Sequence, residues 1–198
     1  MSDLVANTIR VGLAPRDGTA RWVVIGPDFV DVSQLKLDDI AGSLGLLPRF
    51  GGHTVLGGRR VKNSVARHSV ILTNWLERLD FCPRVLKEAM LHDAPEALGV
   101  NDIQHFVKRE YGVEIKKLEH RIMEAVYDTF IGPVPPWGLD PVLDYYDKRL
   151  GAIEATYFGW RPEGHEYLPG DPDLSVEFAG KFDLDDGAEW VARWETIE

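Results

Sequence analysis

The stretch Met90-Leu91-His92-Asp93-Ala94-Pro95-Glu96 sets two ionisable side chains next to each other inside an apolar, helix-period run. Val85, Leu86, Ala89, Met90, Ala94 and Ala97 recur at helical spacing around them, so the pair is carried toward a core and loses water. A His-Asp dyad in that position needs its charge and lone pairs compensated. A divalent metal ion is the obvious compensator, and it needs further ligands. The fold is thereby constrained to bring at least one other helix face to residues 92 and 93.

The rest of the chain supplies helices. Ile40, Ala41, Leu44 and Leu47 predict one over about 38–47, with acids at its start. Ser64 is a good N-cap for a helix over about 65–79, with His68 close to its apolar face. Pro83 suits a helix first position, and the pattern after it predicts a helix to Leu98 in which His92 and Glu96, four apart, share a side and Pro95 distorts the end. A short segment starts at Asn101-Asp102 and reaches Lys108. A long amphipathic helix over about 113–131 follows Gly112, and Asp140-Pro141 opens another over about 141–158 that carries Asp144, Asp147 and Glu154. Trp190, Val191 and Trp194 dock a terminal helix over about 185–196.

Before these, Thr8–Val11 and Arg21–Ile25 flank the turn signal Pro15-Arg16-Asp17-Gly18, which predicts a small β-hairpin. The fold expected is therefore all-α with a small N-terminal β-hairpin. It is a single domain over residues 1–198, with a core over about 38–158 and a C-terminal extension over 159–198.

Charge and cysteine content narrow the function classes. A net charge of −10 excludes a non-specific grip on polymeric nucleic acid, which needs a basic face. A single cysteine, Cys82, excludes an intrachain disulfide framework and a cysteine-rich zinc site. No apolar run reaches the ~20 residues of a membrane span, and the N-terminus has no secretory pattern. A cytoplasmic protein without a membrane partner is expected.

His68, His92, Asp93 and Asp147 come from three predicted helices, and imidazole nitrogens with carboxylate oxygens suit Zn, Mn, Co, Ni or Fe(II), with Mg admitted by the two carboxylates. One His on an apolar face is more often a hydrogen-bonded core residue than a ligand. The ordered set is far more specific: a His, a His-Asp about 24 residues on, and an Asp some 54 beyond that. His53, His105, His120 and His165 show no comparable pattern. Arg59, Arg60 and Lys62 form a basic loop, and Gly51-Gly52 makes a turn or admits a ligand close to the backbone.

These motifs resemble the HD-domain metal-dependent phosphohydrolases, in particular the nucleotide-directed branch of bacterial deoxynucleotide 5′-nucleotidases and phage dATP triphosphohydrolases. The resemblance runs over roughly residues 38–158, through Arg49-Phe50-Gly51-Gly52-His53-Thr54, Ser64-Val65-Ala66-Arg67-His68, Leu91-His92-Asp93-Ala94-Pro95-Glu96, Asp102-Ile103, Val107-Lys108 and Tyr146-Asp147-Lys148. It implies His68, His92, Asp93 and Asp147 as ligands of Co, Zn, Mn or Mg. It implies Glu96, Asp102 and Lys108 as catalytic groups, and Arg49, Phe50, Gly52 and Gln104 at the substrate, with Arg59 of the basic loop a further phosphate contact. Gln104 stands where the branch commonly has proline, and one extra residue separates Glu96 from Asp102, so that Asn101 is the alternative to Asp102.

The resemblance implies hydrolysis of a deoxynucleotide, first a dNTP such as dATP with release of triphosphate. The alternative is a 5′-nucleotidase on deoxynucleoside monophosphates, and an alternative of another class is a nucleotide-binding module without turnover. It also implies a homo-oligomer, dimer or hexamer, in a bacterial or phage-infected cytoplasm.

Overall fold

Alternation at the N-terminus becomes sheet, and the three-to-four spacing elsewhere becomes helix. The computed structural model describes residues 8–13, 18–100, 113–133, 141–160, 166–179, 181 and 185–198. Strand β1 (Ile9–Leu13) pairs antiparallel with β2 (Arg21–Ile25), Ile9 opposite Ile25 and Leu13 opposite Arg21. A third strand, β3 (Val30–Asp31), lies on the other side of β2, so the expected hairpin is part of a three-stranded sheet. Val23 and Ile25 of β2 are buried while Trp22 faces out, the period-two pattern of a half-buried strand. Residues 14–17, which carry most of the turn signal, lie outside the described residues.

Helix α1 (Leu37–Leu46) is tied to the sheet through Asp39. Its carboxylate accepts from the backbone N–H of Lys36 at 3.0 Å and from Arg21 Nη1 at 2.6 Å. One 3₁₀ turn, Arg49–Gly52, follows, with Phe50 in the left-handed region at φ 53. The basic loop then folds into a hairpin of β4 (Val55–Leu56) and β5 (Arg59–Arg60). Gly57 and Gly58 at its tip have φ of 56 and 77, which a two-residue turn matched to strand twist requires.

Helix α2 (Val65–Arg78) starts at Ser64, whose Oγ accepts from the Arg67 N–H at 3.1 Å. Helix α3 (Pro83–Leu91) is shorter than its apolar period suggests. Pro95 has no N–H to give to the Leu91 carbonyl four residues back, so the helix cannot continue across it. The chain turns at His92-Asp93 and re-forms as a π-helical segment, Glu96–Val100, in which Leu98 and Gly99 are non-helical. The expectation of one helix to Leu98, with His92 and Glu96 on a shared side, is corrected accordingly.

Helix α4 (Val113–Phe130), α5 (Pro141–Tyr157), the single turn α6 (Leu174–Glu177) and α7 (Asp186–Glu195) complete the described elements. The layer that matters most for the site is α2, which packs on α3, α5 and α7, while α1 lies along α7. The crossing of α1 and α7 is made by glycines. A Cβ on Gly45 would stand 2.8 Å from the Gly187 nitrogen, and one on Gly187 would stand 2.8 Å from the Ala41 carbonyl oxygen.

Behind this crossing, Arg67 and Asp186, both almost wholly buried, form an ion pair that also takes in Ser64 Oγ at 2.6 Å from Asp186 Oδ2. The C-terminal extension is therefore part of the core, with Leu174, Phe178, Trp190 and Ile197 in the same apolar cluster as α1 to α5. The chain is mostly helical with a small antiparallel N-terminal sheet. Among the described residues, no helix is long and apolar enough to cross a membrane.

Candidate metal centre

The end of α3 presents His92, and its carbonyls explain how. The last carbonyls of a helix have no intrahelical donor. Here Tyr127 Oη donates to the Glu88 oxygen at 2.9 Å and Trp190 Nε1 to the Met90 oxygen at 3.1 Å. The Ala89 oxygen is taken by His92 itself, through Nδ1 at 2.7 Å. That bond fixes the tautomer and turns Nε2 the other way, toward α2 and α5.

His68, in the first turns of α2 and wholly buried, is held in the same manner. Its Nδ1 donates to Glu154 Oε2 at 3.0 Å, and its Nε2 lies 2.9 Å from Asp147 Oδ1. Glu154 and Asp147 are both on α5, two helical turns apart, so one helix meets both ring nitrogens of His68.

His92 Nε2 lies 3.6 Å from the same Asp147 Oδ1 and 3.1 Å from Asp93 Oδ2, and the two imidazole centroids are 5.4 Å apart. Donor atoms of His68, His92 and Asp147 all lie within 4.8 Å of one another, so this group can hold a metal ion. Asp93 stands at its edge. His92 Nε2 and Asp93 Oδ2 are buried without a hydrogen bond of proper geometry, although they face each other. Two inward Nε2 atoms, two carboxylates and donor atoms left over after hydrogen bonding are what a divalent ion needs, so the residues present fit one.

The charges show the same strain. Burial works against a charge on His68 and Arg49 adds to that, yet Glu154 and Asp147 outweigh both and its pKa ends above the ordinary value. Burial also opposes a charged His92, but Asp93 and Asp147 hold its pKa well up. Burial pushes Asp147 up, and its hydrogen bond to His68 together with the nearby His92 more than reverses this, leaving it well below the usual carboxylate range. Asp93 is likewise lowered, against burial, chiefly by His92. Metal binding at the cluster would need neutral imidazoles and ionised carboxylates, and so would release any protons held there.

Arg49 adds a guanidinium to the cluster. Its Nε lies 2.9 Å from Glu154 Oε2, and its Nη1 is 3.9 Å from Asp93 Oδ2. This arginine, expected at a phosphate, thus also bridges the carboxylate behind His68 and the one beside His92. Phe50 lies with its ring under the Arg49 guanidinium, 5.6 Å away, and 5.4 Å from the Trp160 ring. Gly52, at φ 75, closes this turn against Pro48. Burial and then Arg49 act in opposite directions on Glu154, and Arg49 with His68 prevails, so its pKa is lowered.

A cleft of about 410 Å³ opens beside the cluster. His92, Asp93 and Asp147 lie at one end, and Glu96, 8 % exposed, joins them from the π-helical segment. Its described lining does not include Arg59, which stands exposed on β5. Asp102, Gln104 and Lys108 lie outside the described residues. Helix α4 contributes Lys116, Glu119, His120 and Met123 to the lining. Sequence reasoning passed over these, His120 included. Their signal was spacing: 116, 119, 120 and 123 share one face of a helix, but it reads as an ordinary mixed face. Glu154 stands seven residues after Asp147, on the same side of that helix.

Compared with protein-family models and with curated proteins, the chain matches none.

Proposed function

We propose that this protein is a metal-dependent phosphohydrolase acting on deoxynucleotides. The observation that carries the reading is the convergence of His68, His92 and Asp147 from three helices, with Asp93 beside them, at the end of an open cleft. The HD-domain resemblance of the sequence supports the phosphoryl chemistry and the nucleotide class.

A divalent ion held by His68, His92, Asp93 and Asp147 supplies charge neutralisation and activation of water. The remaining work falls to side chains. Glu154 and the Ala89 carbonyl keep the two imidazoles in the ligating tautomer. Glu96 sits in the cleft wall, where its carboxyl can accept a proton or return one to a leaving group. Arg49 presents its Nη1 edge near Asp93, within reach of an anion lying there.

The dNTP triphosphohydrolase reading puts a phosphate chain against the basic residues of the β4–β5 hairpin. The exposed position of Arg59, outside the described lining of the cleft, favours the second reading, a 5′-nucleotidase on deoxynucleoside monophosphates. Purified protein loaded with Mn, Co, Zn or Mg and given dATP and dAMP separates them. Tripolyphosphate from dATP supports the first, and inorganic phosphate from dAMP the second. Hydrolysis of no nucleotide with any metal refutes both and leaves a nucleotide-binding module. Asp93→Ala is expected to abolish turnover in a protein that remains folded.

A further inference from the structure

Glu154 meets His68 through one carboxylate oxygen. Oε2 accepts from His68 Nδ1 and stands beside Arg49 Nε, whereas Oε1 is buried and, among the described residues, makes no hydrogen bond of proper geometry. A carboxylate pinned at one oxygen is soft about its last torsion, and the oxygen facing His68 moves with it. Buried polar atoms normally have a partner, so Oε1 calls for a donor.

Asn63 is the residue placed to give one. It is 1 % exposed, and its Nδ2 and Oδ1 are both buried without a hydrogen bond of proper geometry. Its carbonyl accepts from the Arg49 N–H at 2.9 Å, which ties residue 63 to the arginine whose side chain reaches Glu154. After Arg49 and His68, a hydrogen bond from the Asn63 side chain is among the groups that hold the Glu154 pKa down against burial. Helix α2 needs nothing from this amide, because Ser64 caps it through its own Oγ. An aliphatic side chain would fill the same space without burying polar atoms.

We propose that Asn63 is a positioning residue of the candidate metal centre, its Nδ2 donating to Glu154 Oε1 and so fixing the carboxylate that holds the His68 ring. This rests on the metal-centre part of the proposed function, and it can be tested without turnover. The measurement is manganese affinity, by calorimetric titration into the full chain. The variants are Asn63→Leu, Asn63→Ser, Glu154→Ala, and Asn63→Leu combined with Glu154→Ala. Leucine keeps the outline of asparagine and has no donor. Serine is polar but its hydroxyl sits on a stem one bond shorter, so either variant, if folded, decides.

Both Asn63 variants are expected to weaken manganese binding about fivefold, less than the roughly tenfold or more that altering a direct partner of a ligand costs. In the Glu154→Ala background Asn63→Leu is expected to change affinity by less than about twofold, because no carboxylate is left to position. A purely structural asparagine would lower the Tm of the metal-free protein and leave the manganese affinity of the folded protein where it was. Manganese affinity within about twofold of native in a folded Asn63 variant, or an equal loss with and without Glu154, overturns the proposal. No manganese binding by the native chain overturns it together with the metal-centre reading. Manganese binding that depends on Asn63 in a protein that hydrolyses no nucleotide upholds it and removes the hydrolase reading alone.

Discussion

Replacing Glu154 by glutamine isolates what the carboxylate behind His68 contributes. Oε2 accepts from His68 Nδ1 at 3.0 Å and stands 2.9 Å from Arg49 Nε in an ion pair, with no solvent exposure. An amide oxygen in the same place keeps the His68 bond and removes the charge. A hydrogen bond to a charged partner contributes about 1.5–3 kcal/mol and a neutral one about 1. Downgrading the His68 bond therefore withdraws roughly 1–2 kcal/mol from the orientation and basicity of that ligand, or about tenfold in metal affinity, the lower end of what second-layer partners cost when altered. Calorimetric titration with zinc or manganese, with chelator competition for the tighter metal, measures it. A Glu154→Gln protein that binds metal within about twofold of native, about 0.4 kcal/mol, refutes the claim that Glu154 tunes His68.

The other predictions concern the same frame. His68 and His92 have raised pKa values, so their contribution to the metal-free fold is full below the ordinary 6.5 and is lost as pH rises through the folded values. Asp93, Asp147 and Glu154 have lowered values, so theirs is present above the ordinary 3.8 to 4.5 and is lost as pH falls through the folded values. Metal binding wants neutral imidazoles, so the gap in Tm between metal-loaded and metal-free protein is expected to widen from pH 6 to pH 8; a constant gap contradicts the assignment. Asp186→Ala takes from the buried Arg67 one of its two carboxylates, leaving Glu189 at 2.8 Å, and is expected to cost about 1–3 kcal/mol in urea unfolding. Gly187→Ala pushes a methyl to 2.8 Å from the Ala41 oxygen and should cost about 1–3 kcal/mol by the same assay, with α1 and α7 forced apart.

The elements that carry the cluster residues were legible in the sequence because each residue stands in a local pattern: His68 after an N-cap, the dyad at a helix end before Pro95, Asp147 on a helix opened by Pro141. Apolar spacing was blind to the break at His92, because periodicity counts side chains and the break is caused by a missing backbone N–H at Pro95. It was equally blind to the α4 wall. Which face of an amphipathic helix meets a cleft is decided by its neighbours, and Lys116 and His120 carry no local mark of it. The role of Arg49 was half visible: its position was read, but its bond to Glu154 depends on a residue of α5 far away in sequence. The tightness of the α7 docking, on Gly45 and Gly187, left no trace in composition or period.

Arg67 precedes His68 in the chain, and its partner Asp186 is 119 residues away. Closing so long a loop costs entropy that only an already assembled core returns, so this pair is a late, long-range contact in folding. Once made, it joins the first turn of α2 and the start of α7 into one cooperative unit, since undocking α7 strands a guanidinium inside the protein. Amide exchange at the start of α2 and along α7 should then share a single opening free energy. Local fluctuations of the C-terminal helix would reach His68 as an all-or-none event rather than as gradual loosening.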